Sequence, residues 1–595
     1  MITKLTIENF KRFGQKVEIE LGSPVVFVGP NNCGKTTALQ ALALWETAAR
    51  RWFEKRHPDV TTASERAGVP INRKDILFAP VPDSKVYWHG LHVRRGVKRK
   101  GKAATQNIRM NIVVEGATEG RTWVCGFEFD YQNAETFNIR PLRKAGFDDS
   151  PVAEAEYTVP PEAAGRVRIA YLPPMSGLAS IEDRLDSGAI RRRIGEGRTA
   201  EVLRNLCYSL LHPDNNGGDP NIATQRWEEL KRTMKTLFGV ELLEPAYNAD
   251  RGEVTMSYRD RAGTELDLSS SGRGMQQTLL LFAYLYANPG TAILLDEPDA
   301  HLEVLRQRQT YNLLVDTARQ LHSQVIAASH SEVVLNEAAG KDCVVAFVGS
   351  KPHVISDRGS QLVKALTTFG FENYVLGETK GWAIYLEGST DLAILKALAA
   401  VLNHQAAVQC LESPFVHYLN TNLPQSAREH FYGIRDAVPN LVGFALFDRI
   451  DKPLQSQDCY VEAAWSRREI ENYLCTREVL LRFARGTEAD ADLFSASEAD
   501  IRVKAMEKAI ADVEQSLQVL DKPSPWSADC KVSDDFLRPL FKAYFAALKM
   551  PNVIAKSDYH QLAPFLLPTE VDSEVRVKLD QLVAIAAKAK LAPQS

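Results

Sequence analysis

The chain has 595 residues, of which 45% are hydrophobic and 25% charged, the composition of a folded globular protein, so disorder as its main state is excluded. Lys and Arg total 71 and Asp and Glu total 75, which gives a net charge of −4 and excludes a small basic nucleic-acid module. Any DNA must therefore bind a local basic patch on a near-neutral body. The length corresponds to about four average domains or to fewer large ones.

The eight cysteines form no CxxC pair and do not favour a disulfide scaffold or a zinc ribbon. Cys33 lies inside a phosphate-loop pattern, and we expect a reducing, cytoplasmic compartment. The N-terminus does not have the shape of a signal peptide. Residues 275–295 carry no charge, but Gln276, Gln277 and the Pro289-Gly290 break predict a helix, a turn and a buried strand, and no membrane contact is expected.

The hydrophobic pattern predicts two β/α blocks joined near residues 360–380. In the first block it predicts an antiparallel hairpin over 2–20, a buried strand over 24–28, a helix from Thr36, strands at 108–115, 122–130 and 137–140, helices between 176 and 238, a strand at 253–258, a helix at 275–287, a strand at 291–295, a helix near 302–321 and a strand at 324–328. In the second block it predicts a strand and a helix over 382–402, a strand at 442–447, mostly helix over 476–545 with an acidic stretch at 487–500, and a terminal helix over 572–590.

Gly29-Pro-Asn-Asn-Cys-Gly-Lys-Thr36 fits the pattern GxxxxGK[ST] between a buried strand and a helix. The glycines let backbone N–H groups surround phosphates, and the helix N-terminus adds partial positive charge. Lys35 would reach the β- and γ-phosphates, and Thr36 would bind Mg²⁺. The predicted ATP contacts from this loop are Asn31, Gly34, Lys35, Thr36 and Thr37.

The apolar run Ala292-Ile-Leu-Leu-Leu ends in Asp296 and Glu297. Asp296 is predicted to hold Mg²⁺, often through water, and Glu297 stands where a catalytic base can polarise the attacking water. An acid pair at a strand end is common by itself, but the phosphate loop upstream favours the catalytic interpretation.

Two further motifs specify the type of ATPase. Leu268-Ser-Ser-Ser-Gly-Arg-Gly-Met-Gln-Gln277 precedes a helix, and Ser329-His330-Ser331 ends a later strand. With these motifs the chain resembles the ABC-type ATPases of the SMC, RecF and OLD kind. The resemblance implies that Ser271, Gly272 and Gly274 form a signature motif, that His330 is the switch histidine and that 299–303 is the D-loop. It also implies that ATP is sandwiched between two heads, hence a homodimer or higher oligomer.

A second set of acids follows the strands of the second block. Glu387 and Asp391 flank a strand end and a helix start, Asp448 and Asp451 follow the next apolar strand, and Glu469 and Glu471 form a third cluster. Carboxyl ends of parallel strands meet at one edge of a sheet, so these acids are expected to converge. Oxygen-only ligands suit Mg²⁺ or Mn²⁺, and two such ions can promote phosphodiester cleavage.

This constellation resembles the Toprim domain of OLD-family nucleases, in which an ABC head precedes a C-terminal Toprim domain over the whole chain. The resemblance implies metal ligands at Glu387, Asp391, Asp448, Glu469 and Glu471, catalytic roles for Glu387 and Asp448, and transition-state stabilisation by Lys556. Asp451 is a further candidate metal ligand. The family's second strand usually carries DxD, which would fall on Asp448 and Ile450. Here the second acid is displaced to Asp451, so either a bulge brings Asp451 in or one metal position is weakened.

The predicted fold class is therefore α/β: an ABC-type P-loop ATPase head with a helical insertion, followed by a Toprim α/β domain with its own helical insertion. The predicted boundaries are 1–175 and 241–370 for the head, 176–240 for its insertion with a candidate dimerisation role, 380–475 for the Toprim core, 476–545 for the second insertion, and 546–595 for the Toprim completion and terminal helix.

Residues 91–110 contain seven basic residues and no acid: Arg94, Arg95, Lys98, Arg99, Lys100, Lys102 and Arg109. A phosphate-contacting loop and a solvated insertion explain this segment equally well. Tyr87 and Trp88 nearby could stack on bases.

We expect an ATP- and divalent-metal-dependent DNA endonuclease that nicks or cuts DNA; the resemblance adds bacterial anti-phage defence and partner proteins of a defence system. The alternatives are a DNA-binding ATPase switch whose Toprim domain is weak or inactive and recruits partners, and a RecF-type repair ATPase, which predicts no second acidic site. A topoisomerase would need a nucleophilic tyrosine domain, and the sequence identifies none.

Overall fold

A computed structural model describes residues 1–56, 67–99, 102–146, 152, 154–213, 219–339, 341–348, 351–355, 369–486 and 493–589. The chain forms two compact units, Met1–Lys364 (unit 1) and Ala365–Ala592 (unit 2). All eight cysteines are free. Among the described helices, none combines the length and the apolar character that a membrane crossing requires.

A six-stranded sheet forms the centre of unit 1. Its order is Ile169–Leu172, Ala292–Asp296, Gln324–Ser329, Val25–Val28, Cys343–Ala346 and His353–Val354. All neighbours pair in parallel except the last two. Strands Ala292–Asp296, Gln324–Ser329 and Val25–Val28 are buried along their whole length, which explains their continuous apolar runs. Their carboxyl ends meet at one edge of the sheet, where the phosphate loop begins.

A second, antiparallel sheet of six strands packs on the other side of helix Lys35–Lys55. Its order is Val17–Glu20, Ile2–Glu8, Met110–Thr118, Arg121–Tyr131, Thr136–Pro141 and Val69–Asn72. The Trp45 indole of the helix is fully buried, stacks on Trp123 and donates a hydrogen bond of 2.8 Å to the Cys125 carbonyl. The helix that starts at the phosphate loop is therefore fixed between two sheets.

Three helices fill the segment 176–240: Ser187–Gly195, Leu203–Leu211 and Pro220–Phe238. The second and third pack on helix Arg273–Ala287, which is buried on almost every face. That burial is the reason why 275–295 lacks charge.

The remaining elements of unit 1 are helices, short strands and 3₁₀ turns. The helices are Glu162–Gly165, Val304–Gln320 and Glu332–Ala338, and the strands are Glu241–Leu242, Ala246–Asn248, Glu253–Thr255, Ser257–Arg259 and Glu265–Asp267. The 3₁₀ turns are Arg73–Asp75, Ser84–Tyr87, His89–Leu91, Thr199–Glu201 and Leu268–Ser270.

The basic segment forms an antiparallel hairpin of strands Arg94–Arg99 and Lys102–Asn107. The aromatic pair before it is not available to bases, so that expectation is wrong: Tyr87 is 0% and Trp88 1% exposed. The Tyr87 hydroxyl donates to the Ala79 carbonyl at 2.8 Å, and the Trp88 indole donates to the Ile108 carbonyl at 2.7 Å. Both rings pack with Phe137 in the core below the hairpin.

Unit 2 contains a five-stranded sheet in the order Phe415–Tyr418, Trp382–Leu386, Val442–Phe447, Tyr460–Ala464 and Ser456–Gln457. The first four strands are parallel. From Trp382–Leu386 the chain moves first to one side of the sheet and then to the other. The carboxyl ends of Trp382–Leu386 and Val442–Phe447 therefore flank a topological switch point, the usual ligand crevice of such sheets.

Helices cover this sheet and continue beyond it. They are Phe371–Lys380, Ser389–Val401, Gln405–Glu412, Pro424–Ala437, Arg477–Arg485, Leu493–Val519, Arg538–Ala547 and Ser573–Ala586, with tighter or wider turns at Ile470–Tyr473, Val532–Leu537 and Lys556–Phe565. The acidic stretch predicted over 487–500 lies partly outside the described residues, which resume at 493.

A buried side chain, Gln324, forms hydrogen bonds between the two six-stranded sheets of unit 1. Its Oε1 accepts the Ile2 N–H at 2.7 Å, and its Nε2 donates to the carbonyls of Ile2 and Gly22, each at 2.7 Å. Gln324 belongs to the parallel sheet and Ile2 to the antiparallel one. Unpaired backbone groups are costly when buried, so this amide is a structural requirement.

We predict that Gln324→Leu lowers the free energy of unfolding of unit 1 by about 2–4 kcal/mol, because it leaves up to three buried backbone groups unpaired at about 1–3 kcal/mol each. Hydrogen exchange of Ile2–Glu8 and Gln324–Ser329 in the full chain measures the effect. Gln320→Leu, on an exposed position of the preceding helix, is the matched control. Equal protection in both variants would contradict the role of Gln324.

Candidate functional site

The phosphate loop runs from the end of Val25–Val28 to the helix that begins at Lys35. A Cβ at Gly29 would lie 2.8 Å from the Phe347 carbonyl oxygen, so only glycine fits. The Lys35 ammonium is buried and donates to the carbonyls of Gly29, at 2.6 Å, and Pro30, at 2.9 Å. The Lys35 ammonium is therefore held across the phosphate loop, in the position that the motif requires for binding phosphates.

Thr36 and Asp296 lie together although 260 residues separate them. The Thr36 Oγ1 donates to Asp296 Oδ1 at 3.1 Å, and the Tyr171 hydroxyl donates to Asp296 Oδ2 at 3.2 Å. Burial raises the pKa of Asp296, and the two hydrogen bonds oppose that shift. A hydroxyl and a carboxylate are the hard oxygen ligands that suit Mg²⁺, so the donor set fits that ion. No sequence motif indicated Tyr171.

Glu297 and His330 follow two neighbouring strands of the parallel sheet. Glu297 has φ 51°, a left-handed conformation that is strained for a residue with a side chain. Its N–H donates to the Ala328 carbonyl at 2.9 Å, which fixes the turn. The His330 Nδ1 lies 3.6 Å from Glu297 Oε1. The turn therefore aims the carboxylate away from the strand and towards the histidine.

The signature candidates lie at the start of helix Arg273–Ala287. The Ser271 hydroxyl donates to the Leu268 carbonyl at 2.7 Å, and the Gln276 side chain donates to the Ser271 carbonyl at 2.9 Å. Gly272 is the N-cap, and a Cβ at Gly274 would lie 3.0 Å from the His301 carbonyl oxygen. Gly274 thus allows a close approach between this helix start and the segment that follows Glu297.

An ionic network centred on a buried arginine supports this loop from the helical segment, and no sequence motif indicated it. Arg204 and Glu182 are each 1% exposed, and Arg204 Nη2 donates to Asp267 Oδ1 at 3.1 Å. The same Asp267 oxygen accepts the Ser269 N–H at 2.8 Å and its hydroxyl at 2.6 Å. Glu182 balances the arginine charge at 3.9 Å. The short turn before Ser271 is therefore held by a charge from another element.

In unit 2 two of the predicted acids directly follow the strands that flank the switch point. Glu387 follows strand Trp382–Leu386 and Asp448 follows its neighbour Val442–Phe447, with Tyr385 paired to Ala445. Asp391 lies in the first turn of the next helix and accepts the Gly388 N–H at 3.1 Å.

The electrostatics show that these acids form one cluster. Burial and the carboxylates of Asp391, Glu387, Glu471 and Glu469 raise the pKa of Asp448 to about 8. Burial and neighbouring carboxylates also raise the pKa of Glu471 to about 8. Burial is the largest of the effects that raise the pKa of Glu387, and the positive charge of Lys556 opposes that rise. Like charges at this edge thus favour protonation, or a bound cation in its place.

Two predicted ligands are placed differently. Glu469 is buried, and its carboxylate accepts the Ser533 N–H and, at 2.9 Å, the Ser533 hydroxyl. Asp451 is exposed on the loop beyond the strand. Within the described part of the chain, no three His, Cys, Asp or Glu side chains are arranged to hold one metal ion. The donor chemistry of the cluster fits Mg²⁺, while its geometry is not that of a preformed coordination shell.

The helical insertion adds residues that the sequence did not suggest. Lys531 Nζ lies 2.6 Å and Lys556 Nζ 4.0 Å from the same oxygen of Asp534. Together with Ser533 they place the segment 531–534 beside the acids. The only local signal is the short run Lys-Val-Ser-Asp-Asp, which has no motif character.

Comparison with known proteins concerns unit 1. Residues 182–336 match a family model described as "AAA domain, putative AbiEii toxin, Type IV TA system", and residues 1–120 match one described as "AAA ATPase domain". No curated protein matches the chain.

Several solved structures are similar, all at low identity. The SMC head domain from Thermotoga maritima is 15% identical, with a TM-score of 0.31, over 60% of this chain and 98% of that chain. The Smc head domain with an extended coiled coil bound to the C-terminal domain of ScpA, from Pyrococcus furiosus, is 13% identical, with a TM-score of 0.32, over 62% and 98%. An SmcHead bound to the C-winged helix domain of ScpA is 12% identical, with a TM-score of 0.34, over 60% and 96%.

The matched ranges contain the phosphate loop, the signature candidates, Asp296, Glu297 and His330. Unit 1 therefore has sequence similar to AAA ATPase domains on a mixed α/β P-loop fold, and that similarity supports ATP hydrolysis.

Proposed function

We propose that the chain is an ATP-dependent, divalent-metal-dependent DNA endonuclease of OLD type. Unit 1 binds and hydrolyses ATP as a dimer of heads, and unit 2 cleaves DNA as a Toprim domain. The observation that carries the nuclease proposal is the carboxylate cluster at the switch point, where the pKa of Asp448 and of Glu471 is raised to about 8. A role in anti-phage defence belongs to the same proposal.

In unit 1 different residues bind the phosphates of ATP, hold Mg²⁺ and activate the attacking water. The backbone of 29–34 and Lys35 bind the phosphates, and Thr36 with Asp296 would hold Mg²⁺. Glu297 accepts a proton from the attacking water. The His330 Nδ1 lies 3.6 Å from the Glu297 carboxylate, on the same side of the site. Ser271 and Gly272 would contact the ATP of a partner head, because they lie at a helix N-terminus suited to phosphate.

In unit 2 Glu387, Asp391, Asp448 and Glu471 would hold the metal, and Glu469 fixes the neighbouring segment through Ser533. Divalent cations bound there supply Lewis-acid activation of water and stabilisation of the leaving oxygen. Lys556, with its ammonium half-exposed near the cluster, neutralises charge that develops on the phosphate.

A second function is kept open by a specific observation. Asp451 is exposed, and the described carboxylates do not form a preformed metal shell. A DNA-binding ATPase switch with an inactive Toprim domain would need no such shell. The two functions differ in one property, which is cleavage.

We predict that Glu297→Gln lowers the kcat of ATP hydrolysis by about 10²–10⁴, the usual contribution of a general base, with ATP binding retained. Phosphate release measures hydrolysis, and binding of a fluorescent ATP analogue measures affinity. Asp316→Asn, which changes an exposed acid of unit 1, serves as the control. Full hydrolysis by the Glu297 variant would exclude the assigned base.

We predict that Asp267→Ala lowers the kcat of ATP hydrolysis by up to about tenfold. Loss of a capping carboxylate destabilises the turn before Ser271 by about 1–2 kcal/mol, and each 1.4 kcal/mol changes the ratio of ordered to disordered turn about tenfold, so fewer molecules hold the signature residues in place. Asp267→Asn keeps an acceptor oxygen and should retain most activity. Asp260→Ala removes a similar capping acid from a nearby turn and is the matched control. Equal losses in the Asp260 and Asp267 variants would show a general folding effect instead.

We predict that the wild-type chain nicks or cuts plasmid DNA in Mg²⁺ or Mn²⁺ and that Glu387→Ala does not. The assay is run with and without ATP, and a chelator should abolish cleavage. Glu412→Ala, an exposed acid of unit 2, should cleave like the wild type. Intact ATPase activity with no cleavage under any condition would support the switch, and cleavage by Glu387→Ala in Mn²⁺ would refute the site assignment.

A further inference from the structure

The segment 531–534 of unit 2 is anchored to two parts of the proposed nuclease site. The Ser533 N–H and hydroxyl donate to buried Glu469, and the Tyr559 hydroxyl donates to the Ser533 carbonyl at 3.2 Å. Tyr559 belongs to the turn Lys556–Phe565 that carries Lys556. The two lysine-bearing segments are therefore bound to each other and to the carboxylates.

Lys531 and Lys556 both lie near the carboxylate of Asp534. Asp534 Oδ2 lies 2.6 Å from Lys531 Nζ and 4.0 Å from Lys556 Nζ. The two side chains remain 50% and 48% exposed, so their ammonium groups are accessible to a ligand. One acid facing two lysines leaves net positive charge at this position.

The pair also faces the acids. Lys531 and Lys556 both oppose the upward shifts of the pKa at Glu387 and Glu469. A nearby lysine of the same unit behaves differently: Lys522 Nζ pairs with Asp535 at 2.6 Å, and its charge opposes the rise that burial causes in the pKa of Cys530. Lys531 thus differs from Lys522 because it lies beside the carboxylates of the cluster.

A cluster of carboxylates repels a phosphodiester backbone, so a nucleic acid needs cations on the side from which it approaches. Lysine serves this purpose as a compact point charge with three donors. We propose that Lys531 and Lys556 form a phosphate-binding pair for the nucleic-acid backbone, with Asp534 positioning the two ammonium groups. The inference rests on the proposed nuclease function and adds Lys531 as a substrate-binding residue.

The experiment compares Lys531→Ala with Lys522→Ala in the full chain. Binding of a labelled DNA duplex is measured by fluorescence anisotropy in Ca²⁺ across a salt series. Each lost phosphate contact lowers the slope of log affinity against log salt by about 1. We expect that decrease in Lys531→Ala, with a raised KM for cleavage and little change in kcat, no decrease in Lys522→Ala, and recovery in Lys531→Arg.

The outcomes separate the two proposals. Cleavage by the wild type together with an unchanged slope and KM in Lys531→Ala would overturn the phosphate pair and leave the nuclease intact. Equal decreases in the Lys531 and Lys522 variants would also overturn it, since any surface charge would then suffice. If the wild type cleaves nothing, the nuclease fails, and the salt slope alone still decides whether Lys531 contacts phosphate.

Discussion

Burial of carboxylates at the carboxyl edge of a parallel sheet is the constraint common to both units, and in unit 2 repulsion between neighbouring acids adds to it. Parallel strands bring their ends to one side of the sheet, so the acids that follow the strands lie near one another. In unit 1 hydrogen bonds from Thr36 and Tyr171 offset the burial of Asp296. In unit 2 Asp448 is surrounded by other acids, and the lysines near Asp534 balance them only in part. At each edge the negative charge of the carboxylates is therefore only partly compensated, and a bound cation can compensate the rest.

The motifs that are continuous in sequence were predictable, because a local pattern determines them. The strand predicted at 442–447 is Val442–Phe447, and the hairpin predicted over 2–20 pairs Ile2–Glu8 with Val17–Glu20, as their apolar pattern indicates. Strand Phe415–Tyr418 was missed because it has four residues and only the first is buried. Without it the sheet order, and hence the switch point, could not be deduced.

Long-range partners could not be found from the sequence. Tyr171 reaches Asp296 over 125 residues, and Arg204 reaches Asp267 over 63. Neither lies in a motif, since any segment that the fold brings close could supply the same atom. The opposite error occurred at Trp88, where basic neighbours suggested a nucleic-acid surface. Its burial shows that the composition of a neighbourhood does not determine the direction of a side chain.

The hydrogen bonds of Gln324 also determine when, during synthesis, the first strand can be completed. The first strand, Ile2–Glu8, leaves the ribosome more than 300 residues before the amide that completes its hydrogen bonds. Until then only the N–H and the carbonyl of Ile2 in this strand lack this partner, because the rest of the strand pairs with Val17–Glu20 and Met110–Thr118, which are synthesised earlier. The start of the N-terminal strand is thus among the earliest parts of unit 1 to be synthesised, and its hydrogen bonds are completed only after Gln324 has been added. The amide link between the two six-stranded sheets therefore cannot form until most of unit 1 has been synthesised.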